Sequence, residues 1–274
     1  LMYAAGLRVS EVADLAKAIR DGLELPLEEQ MACNSPREAL NLWIDHAEYV
    51  GILICRQGGI ECEEARGFVL TDAYAPFIYI NSNDSYAGRL FTLVHELVHL
   101  WINQPGISNL GNLRRLRSEE ARIERFCNQV AADTLVDQSM MAGYWSQRDQ
   151  SEDLRDQVSG VARRFAVSEE VIARRLLDMN EIAEADYLGL RRFYNERWAE
   201  HRRRQRAQEG GPAYGLRMAL ANGYQFARVV LGAYKQGRIS GRDASNLLHV
   251  KVNNIPRLEA QVYPSAGPSQ GGGR

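Results

Sequence analysis

The sequence predicts an α+β fold, in which a small, mostly antiparallel sheet packs against two helices and a helical C-terminal region follows. Two observations support this prediction. Short apolar runs separated by turn residues occupy residues 52–80, as is typical of short strands. From about residue 90 onward, apolar residues recur mainly at helical spacing. With 274 residues, 45% of them hydrophobic, the chain is long enough for one large domain or two modest ones.

The first part of the chain is predicted to be helical. Residues 1–35 form a helical segment in which Ser10 can act as the cap, with an apolar stripe that includes Leu15 and Ile19. A second helix begins with Ser35 as N-cap and Pro36 at its first position. It opens the second predicted domain, residues 36–145, which also contains the short strands.

The stretch FTLVHELVHLW at residues 91–101 contains the residues with the clearest chemistry. Read as a helix, it places His95 and His99 one turn apart on one face, where two neutral imidazoles can bind one zinc ion. Glu96 then lies beside the open side of the metal, where it can take a proton from a metal-bound water. This is the H-E-x-x-H pattern of zinc metallopeptidases.

The alternative is a helix whose histidines simply bond to carboxylates or backbone groups. The flanking residues argue against this alternative, because Leu93, Val94, Leu97 and Val98 make the helix strongly apolar. Polar groups without partners would be costly at such a buried place. We therefore predict a catalytic role for Glu96.

A third metal ligand must come from a later helix, because Ile102 stands where a metzincin would continue with glycine. Glu124 and Asn128 recur on one face of the predicted helix after residue 118, together with small alanines that allow close packing. We predict Glu124 as the third ligand, with Glu120 as the alternative. Zinc is the predicted metal, although manganese or iron also binds two histidines and a carboxylate.

Several segments together resemble the ImmA/IrrE family of metallo-endopeptidases, closely over residues 36–137. The segments are 67–70, 77–81, 89–99 and 124–132. The resemblance implies His95, His99 and Glu124 as metal ligands and Glu96 as the catalytic glutamate. One departure is Leu135-Val136-Asp137, where the family usually has Leu-x-Pro. It lies outside the metal ligands and bears on how the helix ends.

The same resemblance implies an intracellular protein as substrate, often an XRE-type transcriptional repressor encoded nearby. Cleavage would then regulate transcription in a stress response, a prophage or a mobile element. The family often carries an XRE-type helix-turn-helix domain before this region, and the abrupt start at Leu1 leads us to expect that such a module has been lost here. The alternative function is a non-proteolytic binding module, such as an antitoxin-like partner of a toxin encoded nearby.

Strand 77–80 leads directly into the predicted helix that contains His95 and His99. We predict this strand as the substrate-binding edge of the sheet, because peptides often bind as an extra strand along an exposed sheet edge. Phe77 and Tyr79 are the candidate substrate-binding residues. The alternative is that both are ordinary residues of an exposed sheet face. Tyr86 and Arg89 are near the motif in sequence, but no pattern assigns either of them to stabilising an oxyanion.

The remaining regions are predicted to be helical up to a disordered tail. Within the third domain, residues 146–206, the helix ending at Phe165, a turn and a second helix capped by Ser168 resemble a helix-turn-helix. DNA contact through residues 150–206 is one interpretation, and a plain packing subdomain is the other. Residues 207–263 form a C-terminal helical region, and residues 264–274 cannot pack.

Composition limits the location and the partners. The net charge of −2 gives no general reason to expect nucleic-acid binding. There is no signal peptide and no apolar run long enough to span a membrane. The four cysteines do not form a disulfide framework and are predicted to be reduced thiols. We therefore predict a cytoplasmic protein without membrane partners.

Overall fold

The computed structural model describes residues 12–103, 106–108, 118–207 and 213–263. The predicted cap Ser10 and the predicted tail at residues 264–274 lie outside the described residues. The described part is mostly helical and contains one small sheet, which confirms the predicted α+β class.

The first three helices form one side of the core. They are α1 (Val12–Gly22), α2 (Leu27–Met31) and α3 (Pro36–Tyr49). The predicted start of α3 is confirmed, because the Ser35 hydroxyl accepts a hydrogen bond of 3.3 Å from the backbone N–H of Glu38. The chain leaves α3 through Gly51, which has a positive φ of 92°. Glycine adopts this conformation readily, so it can end the helix here.

The sheet contains four strands in the order β1-β3-β2-β4. The strands are β1 (Leu53–Gln57), β2 (Gly67–Leu70), β3 (Phe77–Asn81) and β4 (Gly106–Ser108). The β2–β3 and β2–β4 pairs are antiparallel, and only β1 and β3 run parallel. The sheet is therefore mostly antiparallel, as predicted.

The predicted position of strand 77–80 at an exposed edge is wrong. Ile78 pairs with Ile54 of β1 on one side and with Val69 of β2 on the other, so β3 lies inside the sheet. Its backbone groups are used on both sides and cannot take up a peptide strand. The parallel pairing with β1 produces this arrangement, and neither strand's local pattern reveals it.

The two candidate substrate residues on β3 instead pack within the protein. Tyr79 is buried, its hydroxyl donates to the carbonyl of Gln57, and its ring stacks on Phe68 at 5.0 Å. Phe77 is half-buried, and its ring also lies near Phe68, at 6.1 Å. These contacts give Phe77 and Tyr79 a role in covering the sheet.

The next six helices share one continuous core with α1 to α3. They are α4 (Tyr86–Trp101), α5 (Ser118–Leu135), α6 (Gln138–Ser146), α7 (Leu154–Phe165), α8 (Glu169–Asp178) and α9 (Glu184–Ala207). Helix α4 packs against the sheet and against α3 and α5. The predicted turn between α7 and α8 is present, with Ala166 in the left-handed conformation. The predicted division into domains at residues 35, 145 and 206 stays a prediction.

The C-terminal helices have a core of their own and cover the outer side of β1. They are α10 (Tyr214–Asn222), α11 (Tyr224–Lys235), α12 (Gly241–Leu247) and α13 (Ile255–Val262). The Cys55 thiol donates to the carbonyl of Ala221, and the backbone N–H of Gln225 bonds to Glu48. Gly223 lies so close that a Cβ there would overlap the carbonyl oxygen of Ile54. Among the described helices, none has the length and apolar composition needed to cross a bilayer.

Candidate metal centre

Helix α4 brings the predicted metal ligands into the interior of the protein. Ser85 caps the helix, accepting a hydrogen bond of 3.0 Å from the backbone N–H of Gly88. From Thr92 to Trp101 every residue of α4 is buried, because the helix lies between the sheet, α3 and α5. His95 and Glu96 are completely buried, and His99 is nearly so.

His95, His99 and Glu124 meet at one point. The two imidazole Nε2 atoms are 3.1 Å apart. Glu124 reaches both from α5, with Oε2 at 3.2 Å from His95 Nε2 and Oε1 at 3.2 Å from His99 Nε2. These three residues form the only group of potential metal ligands among the described residues. The alternative ligand Glu120 is exposed on α5 and does not belong to the group.

The electrostatics of the group suit a cation. Burial lowers the pKa of His95, although hydrogen bonding to Glu124 opposes this shift. Burial alone would raise the pKa of Glu124, but hydrogen bonds from His95 and His99 outweigh it and bring the pKa to about 2. At neutral pH the carboxylate is therefore ionised and His95 is neutral. These are the protonation states that a metal ion requires of its ligands.

The donor set fits zinc. Two imidazoles and one carboxylate are the ligands of a well-known class of catalytic zinc sites, which leave a fourth position open. The opposite ring nitrogens, Nδ1 of His95 and of His99, are buried and make no hydrogen bond of normal geometry among the described residues. Cys127 lies nearby, but burial raises the pKa of its thiol, with further contributions from the charges of Glu124 and Glu96. Cys127 does not belong to the group of converging ligand atoms.

The structure brings in residues that sequence reasoning left without a role. Asn128 lies one turn after Glu124 on α5, and its interaction with the His95 ring partly offsets the lowering of the His95 pKa. Its Oδ1 is buried and makes no hydrogen bond of normal geometry within the described structure. Its position on the same helix face as Glu124 could have indicated from the sequence that Asn128 lies near the metal ligands. Gly67 of β2 lies against Thr92 and Glu96 of α4, and no local pattern predicted that contact.

Tyr86 and Arg89 act at the start of α4. Arg89 donates to the backbone carbonyls of Ser82 and Asp84, holding the loop that precedes the helix. Its guanidinium lies 4.7 Å from the centre of the Tyr86 ring, and Tyr86 is exposed. Both side chains are used at the N-terminus of α4, at least one helical turn before His95.

The comparisons with known proteins agree with this site. Residues 47–177 match the family model described as Peptidase_M78, the IrrE N-terminal-like domain. No curated protein matches the chain. The matched residues include the strands β1 to β3, Glu96 and the three potential metal ligands. The chain thus carries a metallopeptidase-type domain of the Peptidase_M78 (IrrE N-terminal-like) family, which confirms the resemblance to ImmA/IrrE proteins.

Proposed function

We propose that the protein is a zinc-dependent endopeptidase that cleaves a specific intracellular protein. One observation carries the proposal: His95, His99 and Glu124 converge within hydrogen-bonding distance of one another, and Glu96 follows His95 on the same buried helix. A structural zinc site needs no base at that position, because its coordination is closed by protein ligands.

The ligands would be Nε2 of His95, Nε2 of His99 and the carboxylate of Glu124. The bound zinc would supply Lewis acidity, polarising the scissile carbonyl and making water easier to ionise. Glu96 accepts a proton from the attacking water and then delivers it to the nitrogen of the leaving amine. The pKa of Glu124, about 2, keeps that carboxylate charged at neutral pH.

The sheet suggests where the substrate binds. Strands β2 and β3 are inside the sheet, and the C-terminal helices cover β1. Strand β4 pairs with β2 alone among the described strands, so its outer side is the edge left for an added peptide strand. The β4 residue Ser108 pairs with Gly67, which lies against Glu96. A peptide on β4 would therefore bind near Glu96.

The family resemblance supports a protein substrate, and an XRE-type repressor encoded nearby is our first choice. Its cleavage would switch on genes of a stress response, a prophage or a mobile element. We place the reaction in the cytoplasm, since Cys33, Cys55, Cys62 and Cys127 are all free thiols, as is usual in a reducing compartment.

The test uses the purified protein and its Glu96→Gln variant. Each is assayed for metal content and for cleavage of proteins encoded beside its gene. We expect both to bind one zinc per chain and only the parent to cut, because the variant keeps the ligands but loses the base. Equal cleavage by the two proteins would contradict the role of Glu96, and absence of metal from both would refute the site itself.

A second candidate is a non-proteolytic binding module, such as an antitoxin-like or regulatory partner. The complete burial of Glu96 favours it, because a buried base is difficult for a peptide to reach. In the same experiment, zinc in both proteins with tight binding of a neighbouring gene product and no cleavage would support this candidate.

DNA binding through residues 150–206 is a weaker candidate. Exposed arginines on α9, including Arg191 and Arg192, support it. The first turn of α8, which would enter the major groove, instead carries Glu169 and Glu170, and the latter pairs with Arg191. A steep salt dependence of DNA affinity would support this role.

A further inference from the structure

The sheet and helix α4 approach each other closely at Gly67, the first residue of β2. A Cβ atom at this position would lie 2.5 Å from Cγ2 of Thr92 and 2.8 Å from the carbonyl oxygen of Tyr79. It would also lie 3.2 Å from Oε1 of Glu96. The first two distances are shorter than van der Waals contact allows, so any side chain here forces its neighbours to move.

The backbone conformation does not explain the glycine. Gly67 is absent from the positive-φ residues of the described chain, so its conformation is open to any amino acid. Glycine inside a strand normally weakens the sheet, since it has no side chain to pack and loses more entropy on folding. The requirement at residue 67 is therefore one of space.

That space is shared with the proposed catalytic base. Thr92 and Glu96 are four residues apart on α4, so their side chains lie on one face of the helix. Thr92 is buried, and its methyl group is the atom nearest to the missing Cβ. The β2 backbone at Gly67 and the side chain of Thr92 thus form adjoining walls beside the Glu96 carboxylate.

We propose that Gly67 is a positioning residue for Glu96. Because Gly67 has no side chain, the backbone of β2 can lie directly against the Glu96 carboxylate. This contact holds the carboxylate in a fixed position relative to His95 and His99. The inference rests on the proposed function, because it concerns the position and orientation of the proposed catalytic base. It leaves the metal ligands themselves untouched, which separates it from a role in metal binding.

The test compares Gly67→Ala with the control Gly143→Ala. Gly143 lies in α6, and a Cβ there would have no atom within 4 Å. We expect Gly67→Ala to bind zinc with the parent's affinity but to cleave peptide at least ~10-fold more slowly, since small misplacement of a catalytic group is costly. The control should cleave at the parent rate. Thr92→Ser, which removes the nearest methyl group, should restore part of the rate when combined with Gly67→Ala.

A second measurement does not depend on cleavage. We expect the visible spectrum of the cobalt-substituted protein to change with pH, because groups at the metal ionise. A nearby carboxylate shifts such an ionisation by about one pH unit or more. We expect the spectral midpoint of Gly67→Ala to move away from that of the parent and in the direction of Glu96→Gln, and that of Gly143→Ala to stay in place.

The outcomes separate this inference from the proposed function. Parent-like cleavage and a parent-like midpoint in Gly67→Ala would overturn the inference. So would a loss of zinc affinity that Thr92→Ser does not reverse, because the glycine would then serve only the fit against the Tyr79 carbonyl. If the parent binds metal without cleaving, the endopeptidase proposal fails, while the cobalt midpoints still decide whether Gly67 positions Glu96.

Discussion

The replacement Glu124→Gln tests the metal centre most directly. In the structure each carboxylate oxygen of Glu124 lies 3.2 Å from one imidazole nitrogen, Oε2 from His95 and Oε1 from His99. Glutamine keeps the shape but has one oxygen and no charge. Its amide nitrogen carries no lone pair for a metal. The variant therefore offers a cation a weaker, uncharged third ligand.

The expected loss of zinc affinity and the resulting loss of stability can both be estimated. Loss of a partner outside the ligand shell already weakens metal binding by about 10- to 100-fold, so removing a charged ligand should cost at least ~100-fold. At free zinc ~1,000 times the parent Kd, zinc stabilises the parent by about 4.1 kcal/mol, and a ~100-fold higher Kd leaves about 1.4 kcal/mol. We expect the zinc-dependent part of the unfolding free energy to fall by ~2.7 kcal/mol.

The assay combines chelator competition for zinc affinity with denaturant unfolding in the presence and absence of zinc. The matched control is Glu120→Gln, which makes the same chemical change one turn earlier on α5, at an exposed position. The control should retain the parent's zinc affinity. A Glu124→Gln protein that binds zinc as tightly as the parent, or a control that loses as much, would refute the assignment of Glu124.

Three further predictions concern the pH response, the surroundings of the ligands and the C-terminal helices. Burial lowers the pKa of His95 below its usual 6.5, so the unfolded chain binds more protons than the folded one below that pH. The stability of the metal-free protein should therefore fall as the pH drops below 6.5, by up to ~1.4 kcal/mol per pH unit, and a flat denaturation profile would contradict this. Asn128→Ala should weaken zinc binding by about 10- to 100-fold while Asn128→Asp retains it, and chelator competition that finds all three proteins equal would exclude a role for this side chain. Gly223→Ala should destabilise the protein more than Gly237→Ala, because both have positive φ but only the former would overlap the backbone of β1. Thermal unfolding compares the two, and equal losses would mean that backbone strain alone is responsible.

The local sequence was sufficient to predict a structural feature wherever that feature is caused by residues close together in the chain. The start of α3 follows from Ser35, because its hydroxyl accepts a hydrogen bond from the backbone N–H of Glu38, three residues later in the chain. The pairing of His95 with His99 follows from the pitch of a single helix, which brings residues four apart onto one face. The resemblance to the ImmA/IrrE family rests on the same local motifs, and the family match confirms it.

The sequence by itself therefore determined the fold class, the family of the domain at residues 47–177, and the two histidines with Glu96 between them. The sequence favoured Glu124 over Glu120, but only the tertiary structure showed that Glu124 reaches both histidines, because that contact depends on how α5 packs against α4. It also moved β3 from the predicted edge to the inside of the sheet and brought Gly67 against Glu96. Strand order and helix–sheet contact join residues far apart in the chain, so no local pattern of spacing or hydrophobicity contains them.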